Sequence, residues 1–276
     1  MIKQLFFDLD GTLLNSRGHV SPANQAAIQK TSCDISLVSA RAPQEMLSTV
    51  RSLNLTGPQV AFNGGLVFIA TKKGYRVLEK MALSQLSAQV IMAAVMMYFP
   101  QVSLSYYDQF NWYVPRYNNI VRQEQARNGL VPRLKSPAAA CAEPSFKPLK
   151  IMLTIPDATL VVPLRSLLAG LNLPDIAVQQ SGHAYGYDFI EITHRNAQKA
   201  HGVQFILQQK KLSASAAAAF GDGQNDLPML KSVGLPIVME NATPVVQAQA
   251  AFVTKSNDDD GVAHALFTHP ALKEVS

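Results

Sequence analysis

The sequence predicts an α/β fold, a doubly wound parallel sheet with a second α/β domain inserted into it. Three observations carry that expectation. The run Ile2–Phe7, with Leu5, Phe6 and Phe7 in succession, suits a strand buried on both faces. Strand-like and helix-like stretches then alternate, the pattern of βαβ units. The character changes after the hairpin-like segment ending near Glu79, and the alternation returns near Asp188. This divides the chain into a main domain, residues 1–82 and 191–276, and an insert, residues 83–190.

Taken in order, Ser21-Pro22 before Ala23–Lys30 reads as a helix start with proline at its first position. Ile35–Val38 is a short β-type run ending in Ser39-Ala40-Arg41, and Pro43 opens another helix. In such sheets ligands bind at the carboxyl ends of strands near a topological switch point. Ser39 and Ala40 stand at such an end, close to a helix N-terminus that suits an anion. A plain helix cap at Ser39 would account for the serine equally well. Val60–Phe62 is a third strand, and Asn63-Gly64-Gly65 is a turn signature. Leu66–Ala70 and Arg76–Glu79 fit a hairpin around Lys72-Lys73-Gly74.

Within the insert, Ser84–Phe99 reads as a Met- and Ala-rich helix packed on a sheet, with β-type runs at Val102–Tyr107 and Lys150–Ile155. Lys135–Pro148 is loop-like, and Thr159–Leu171 is helical. The aromatics Tyr106, Tyr107, Phe110, Trp112, Tyr113 and Tyr117 read as cross-strand pairs or as a substrate wall.

Asp188–Thr193 is the next strand, leading to a helix that starts near Lys199 and runs to about Gln209. A lysine in the first helical turn opposes the helix dipole, so it is either a solvated surface lysine or one that meets a phosphate. Ala216–Ala219 is helix-prone, yet the acids that follow Phe220-Gly221 mark a strand-to-loop edge. Ala217–Gly221 is therefore expected as a buried strand that brings Asp222 to the same edge as Asp8. Leu227–Lys231 is helical and Leu235–Met239 a short strand. Asp258-Asp259-Asp260-Gly261 lacks the spacing of a calcium loop and is expected as a turn capping the last helix, Val262–Phe267.

The bulk composition narrows the function classes. Hydrophobic residues at 48% and charged residues at 16% describe an ordinary globular protein. The net charge of +5, from 24 Lys and Arg against 19 Asp and Glu, has no dense basic run and no basic-aromatic motif. It suits a small anionic substrate, and nucleic acid is not expected as a partner. Cys33 and Cys141 stand apart, and the histidines show no metal-ligand spacing. Leu86–Phe99 is the most apolar segment and is too short to span a bilayer, so no membrane partner is expected. No secretory leader pattern precedes the Asp8 strand, and the expected location is cytoplasmic.

The chemistry concentrates at Asp8-Leu9-Asp10-Gly11-Thr12, where two carboxylates follow the end of a buried strand. Carboxylates that close repel and call for a cation between them. Mg²⁺, a hard ion that takes oxygen ligands, fits. A carboxylate beside Mg²⁺ can also act as a nucleophile and form an aspartyl-phosphate, with the second carboxylate as acid and base. Alone, the four residues Asp-x-Asp-Gly would equally describe an acidic turn.

Four pieces in register change that balance: Asp8-Leu9-Asp10-Gly11-Thr12, Ser39-Ala40-Arg41, Lys199, and Gly221-Asp222-Gly223-Gln224-Asn225-Asp226. Together they resemble the four motifs of the haloacid dehalogenase-like superfamily. The continuation through Pro228-Met229-Leu230, with Met239-Glu240-Asn241-Ala242, Asn257 and Asp260-Gly261-Val262-Ala263, is similar to its Cof-type phosphatase branch. The resemblance covers essentially the whole chain and puts the insert in the place of that branch's α/β cap domain. Ala40, Ala200 and Glu240 stand where the family pattern commonly has glycine.

The resemblance implies Asp8 as nucleophile and Mg²⁺ ligand, and Asp10 as acid/base with its backbone carbonyl on the metal. It implies that Thr12, Ser39 and Lys199 hold the phosphoryl group, with the backbone at Leu9 and Ala40 and with Asn225. Asp222 would ligate Mg²⁺, and Asp226 would be a second ligand or an anchor for the first. The expected function is Mg²⁺-dependent hydrolysis of a small phosphorylated metabolite: a sugar phosphate, a nucleotide or a phosphorylated cofactor. A phosphosugar mutase and a non-catalytic phospho-ligand sensor are the alternatives. Oligomeric state is not legible in the sequence.

Overall fold

A computed structural model describes residues 1–273 and divides the chain into two compact units. The first comprises Met1–Glu79 and the chain from Gln198 onward, and the second comprises Lys80–Ala197.

The chain begins with β1 (Gln4–Phe7), α1 (Pro22–Lys30), β2 (Asp34–Leu37) and α2 (Pro43–Ser52). Ser21 caps α1 by accepting the Asn24 N–H at 3.1 Å, and Pro22 occupies the first turn, where its missing donor costs nothing. β3 (Pro58–Ala61), β4 (Leu66–Thr71) and β5 (Gly74–Lys80) form a separate antiparallel sheet in the order β3-β4-β5. The expected third strand thus joins β2 through one parallel bridge, Val38 to Val60. Beside that bridge the fully buried Gln59 accepts the Leu37 N–H at 2.7 Å on its side-chain carbonyl, and Ser39 N–H donates to Val60 O at 3.0 Å.

The second unit contains α3 (Gln85–Tyr98), β6 (Ser103–Tyr107), β7 (Trp112–Val114), α4 (Asn119–Asn128), β8 (Arg133–Leu134), α5 (Pro137–Cys141), β9 (Lys150–Ile155), α6 (Val161–Gly170), β10 (Ile176–Ala184) and β11 (Tyr187–His194). Its six strands run in the order β10-β11-β9-β6-β7-β8 and pair antiparallel except β7 with β8. Strand alternation sends Leu104, Tyr106, Ile151, Leu153, Ile155, Ile190 and Ile192 into one core with residues of α3 and α6. Four of the six aromatics form cross-strand pairs, Tyr106 stacking on Tyr113 at 5.3 Å and Tyr107 on Trp112 at 6.2 Å, while Phe110 and Tyr117 lie outside the strands and are exposed. The segment expected as a loop, Lys135–Pro148, carries the short α5, capped by Ser136.

The first unit resumes with α7 (Lys199–Gln209), β12 (Ala217–Gly221), α8 (Leu227–Leu230), β13 (Leu235–Val238), α9 (Pro244–Gln247), β14 (Phe252–Val253), α10 (Gly261–Thr268) and α11 (Pro270–Lys273). The Ala-rich β12 is a fully buried strand despite its helical propensity, because it fills the centre of a five-stranded parallel sheet, β14-β13-β12-β1-β2. Phe6, Val203, Ile206, Ala217, Ala219 and Met229 pack together, and these small β12 side chains let α7 approach. The acids before α10 do not cap it with side chains: Asp260 adopts a left-handed φ of 57° and accepts the Ser21 hydroxyl, while Asp258 accepts the Ser16 N–H at 2.8 Å. None of the helices among the described residues is long and apolar enough to cross a membrane.

Candidate active site

Strand order in the parallel sheet reverses between β1 and β12, with β2 on one side and β13 and β14 on the other. That is the switch point, and its carboxyl edge is where ligands bind in such folds. Asp8 and Asp222 each follow directly on one of these two central strands, and Asp8 N–H continues the ladder to Phe220 O at 3.0 Å. Gly11 then turns the chain back with φ of 82°. A side chain there would lie on the Asp222 carboxylate, with its Cβ 2.8 Å from Cγ.

Lys199, at the first position of α7, is 1% exposed, which excludes the solvated surface lysine. Its ammonium bonds Asp8 Oδ1 and also Asp226 Oδ1, the latter at 2.6 Å. Asp226 uses its other oxygen to accept the N–H groups of Asp222 at 3.0 Å and Gly223 at 2.8 Å. Asp222 accepts the Thr12 hydroxyl at 2.7 Å. Thr12, Asp222, Asp226, Lys199 and Asp8 are therefore one connected network.

Asp8, Asp222 and Asp226 each offer an oxygen within 4.8 Å of the others. Three carboxylates against one ammonium leave excess negative charge in a largely buried space. Burial pushes the Asp8 carboxyl well above its usual range, with Lys199 opposing and Asp226 and Asp222 adding to the rise. Burial, reinforced by Asp226 and opposed by the Thr12 hydrogen bond, pushes Asp222 up to about 6. Burial pulls Lys199 down, but Asp226 and Asp8 outweigh it and hold the ammonium above the ordinary lysine value. An all-oxygen donor set with surplus charge suits a hard divalent cation.

The other sequence-derived residues surround this network. The Asp10 side chain lies outside the three convergent carboxylates and is held by Arg41, Nε to Oδ2 at 2.8 Å and Nη2 to Oδ1 at 2.5 Å. Ser39 is not the cap of α2, since the N-cap position is Ala42, whose N–H is taken by Glu45 at 2.8 Å. Ser39 Oγ instead accepts the Arg41 N–H at 3.1 Å, and Ala40 sits between them. Leu9 is fully buried, and its carbonyl accepts the Leu14 N–H at 2.8 Å, closing the loop after β1. Asn225 donates to Asn63 at 3.1 Å, and Asn63 N–H donates to Ser39 O at 2.9 Å, linking three loops.

Several supporting residues carried no assigned role in the sequence. Arg41 was legible as part of Ser39-Ala40-Arg41, but nothing in that spacing names Asp10 as its partner. Asn63 reads as a turn residue, and its left-handed φ of 54° agrees. Gly64, with φ of 97°, lies so close to the Gln198 carbonyl that any side chain would collide with the residue preceding Lys199. Asn241 donates to Gly11 O and Asn257 to Leu14 O, both at 2.9 Å, so the C-terminal loops brace the Asp8–Leu14 turn.

Comparison with known proteins agrees with this geometry. The sequence profile of haloacid dehalogenase-like hydrolases matches residues 5–266. The chain belongs to this family. A Haemophilus influenzae relative named "Putative phosphatase" is 28% identical over 273 residues, spanning 95% of this chain and 96% of its own length. The fold of this chain recurs in the crystal structure of TM0651 from Thermotoga maritima, with a TM-score of 0.83 at 24% identity, covering 100% of this chain and 98% of that one. It recurs also in the subclass IIB sugar phosphatase BT4131, with a TM-score of 0.78 at 22% identity, covering 96% and 97%.

Proposed function

We propose that this haloacid dehalogenase-like hydrolase is a Mg²⁺-dependent phosphatase that cleaves small phosphomonoesters through an aspartyl-phosphate on Asp8. The observation that carries the reading is the buried network at the switch point, in which Lys199 bridges Asp8 and Asp226 while Asp222 converges on them and leaves surplus negative charge. Phosphoryl transfer asks a protein mainly for positioning and for charge stabilisation on the equatorial oxygens.

In the proposed cycle an Asp8 oxygen attacks phosphorus, and the ester oxygen departs with the bonding pair, taking a proton from Asp10. Water then attacks the phosphorylated Asp8, gives its proton to Asp10 and releases inorganic phosphate. Thr12, Ser39, Lys199 and Asn225, with the backbone at Leu9 and Ala40, hold the phosphoryl oxygens. Asp8 and Asp222, with the Asp10 carbonyl, would hold Mg²⁺, which when bound neutralises charge on the phosphoryl group and the attacking carboxylate. Asp226, fixed by Lys199 and by the Asp222 and Gly223 amides, anchors the loop that carries Asp222.

The test is phosphate release from sugar phosphates, nucleotides, flavin mononucleotide and pyridoxal phosphate, with Mg²⁺, with EDTA, and with Asp8→Asn. Release that needs Mg²⁺ and disappears in Asp8→Asn is expected. Wild-type turnover by Asp8→Asn would overturn the reading. An isomerised sugar phosphate would make the protein a mutase, and tight binding without turnover would make it a sensor.

A further inference from the structure

We infer that the outward face of α3 is a dimerisation surface, on which a second copy of this chain lays the same helix antiparallel. The inference is independent of the phosphatase reaction proposed above.

α3 (Gln85–Tyr98) has two apolar faces. Ala88, Ile91, Met92 and Val95 are buried in the core of the second unit. On the other side Leu86 is 70% and Met97 72% exposed, flanked by Met96 at 45% and Tyr98 at 63%. Val90 is half-buried and Ala93 exposed between them, and Gln89 beside them is polar but uncharged. A surface helix ordinarily turns charged and polar residues to water, and a helix that is apolar all round is a covered one. No charged residue or histidine occurs between Lys80 and Asp108. Scattered apolar side chains are normal on a surface, whereas a row along a helix of about 21 Å marks a contact surface.

The spacing identifies the partner. Leu86, Val90, Ala93 and Met97 recur at steps of four, three and four, the a/d seam of a helix that packs on another helix. The seam is also nearly symmetric end for end, with a long side chain at each end and two shorter ones between. Laid antiparallel on itself, it sets Leu86 against the partner's Met97 and Val90 against the partner's Ala93. Each contact occurs twice, so one patch serves both sides of a two-fold interface. With no charge on the helix, two copies meet without like-charge repulsion. A bilayer surface is the poorer match, because membrane-surface helices carry Lys and Arg on their polar face and α3 has neither. At roughly 150–200 Å² for a large side chain, the exposed parts of Leu86, Met96, Met97 and Tyr98 amount to about 400–500 Å² per copy. Two copies together reach roughly 800–1,000 Å², the lower bound for a specific interface, so the dimer is weak and concentration-dependent.

The experiment is sedimentation equilibrium of the full chain from about 1 µM to 1 mM, with wild type, Leu86→Glu and Met97→Lys. Wild type should pass from monomer to dimer, half-dimerised at roughly 10–100 µM, weaker than interfaces of standard size. Each substitution places an unpaired charge in the apolar contact and should weaken dimerisation more than about tenfold. At 1 µM the melting temperature of each variant should stay close to wild type, since both side chains are exposed. Mixed in equal amounts, the two variants should associate again. The introduced carboxylate then faces the introduced ammonium across one contact, while the remaining Met97 and Leu86 meet across the other. Native mass spectrometry identifies that mixed dimer by its mass. A wild type that stays monomeric to 1 mM, a dimer that neither substitution weakens, or a mixture that stays monomeric would overturn the inference. Monomeric wild type that sediments with phosphatidylserine vesicles, and fails to do so as Leu86→Glu, would overturn it in favour of a bilayer.

Discussion

Replacing Lys199 with methionine removes the ammonium and keeps most of the side-chain volume. Lys199 is 1% exposed and bonded to both Asp8 and Asp226, so the variant leaves two buried carboxylates without their cation. Breaking a buried pair in this way costs about 3–5 kcal/mol, because the desolvation of the remaining charge is no longer offset. At about 2–4 °C per kcal/mol for a unit of this size, the melting temperature in EDTA should drop by roughly 6–20 °C at pH 8. The pH dependence follows from the same groups. The folded-state pKa of Lys199 lies above its ordinary value, so its stabilisation is fully present throughout pH 5–8 and disappears only in strong alkali. Asp8 is raised by burial, and Lys199 is the group that holds it down. Without Lys199, Asp8 takes up a proton more readily, so the deficit relative to wild type should shrink as the pH falls. Thermal unfolding of both proteins in EDTA across that range is the assay. A deficit below about 1 kcal/mol, typical of a surface pair, or one that grows as the pH falls, would refute the reasoning.

Three further outcomes follow from the same network. Gly11→Ala sets a side chain against the Asp222 carboxylate at φ of 82°, costing about 1–2 kcal/mol in backbone strain; displacement of Asp222 should weaken Mg²⁺ binding roughly 10- to 100-fold by calorimetry. Gly64→Ala collides with the Gln198 carbonyl, so it should lower activity through Lys199 even though residue 64 contacts no reacting atom; unchanged kcat would contradict this. Asp222 has a folded-state pKa of about 6, above its unfolded value near 3.8, so its protonated form is favoured in the fold. Its contribution to metal-free stability is present at low pH and lost as pH rises between those values. Mg²⁺ requires the deprotonated form, so the rise in melting temperature on adding Mg²⁺ should be small at pH 5 and large at pH 7.5. An equal rise at both pH values would contradict it.

Much of the first unit was legible because its central strands are continuous apolar runs. Leu5-Phe6-Phe7 and Ala217–Gly221 both read correctly, the second against its helical propensity, because the acids after Gly221 marked a strand end. Lys199 stood out only as a cation misplaced in a first helical turn, open to a solvated surface role or to a phosphate; its partners Asp8 and Asp226 lie 191 and 27 residues away and carried no local signal. What stayed hidden depended on long-range pairing. α4 buries only Val121 of its ten residues, so it shows no apolar stripe. β10 has a solvent-facing end from Ser181 to Ala184 and little alternation. The Gln59 side chain that bonds from β3 to β2 looks like any polar residue in a strand. The partner of Arg41 is set by how two loops meet at the sheet edge, which no local spacing encodes.

The most direct test of the central claim is acid quenching during turnover, followed by mass spectrometry of the digested protein. A phosphoryl group is expected on the peptide carrying Asp8, labile to alkali and absent in Asp8→Asn. A phosphoryl group on a serine or histidine instead, or steady turnover by Asp8→Asn, would contradict the account.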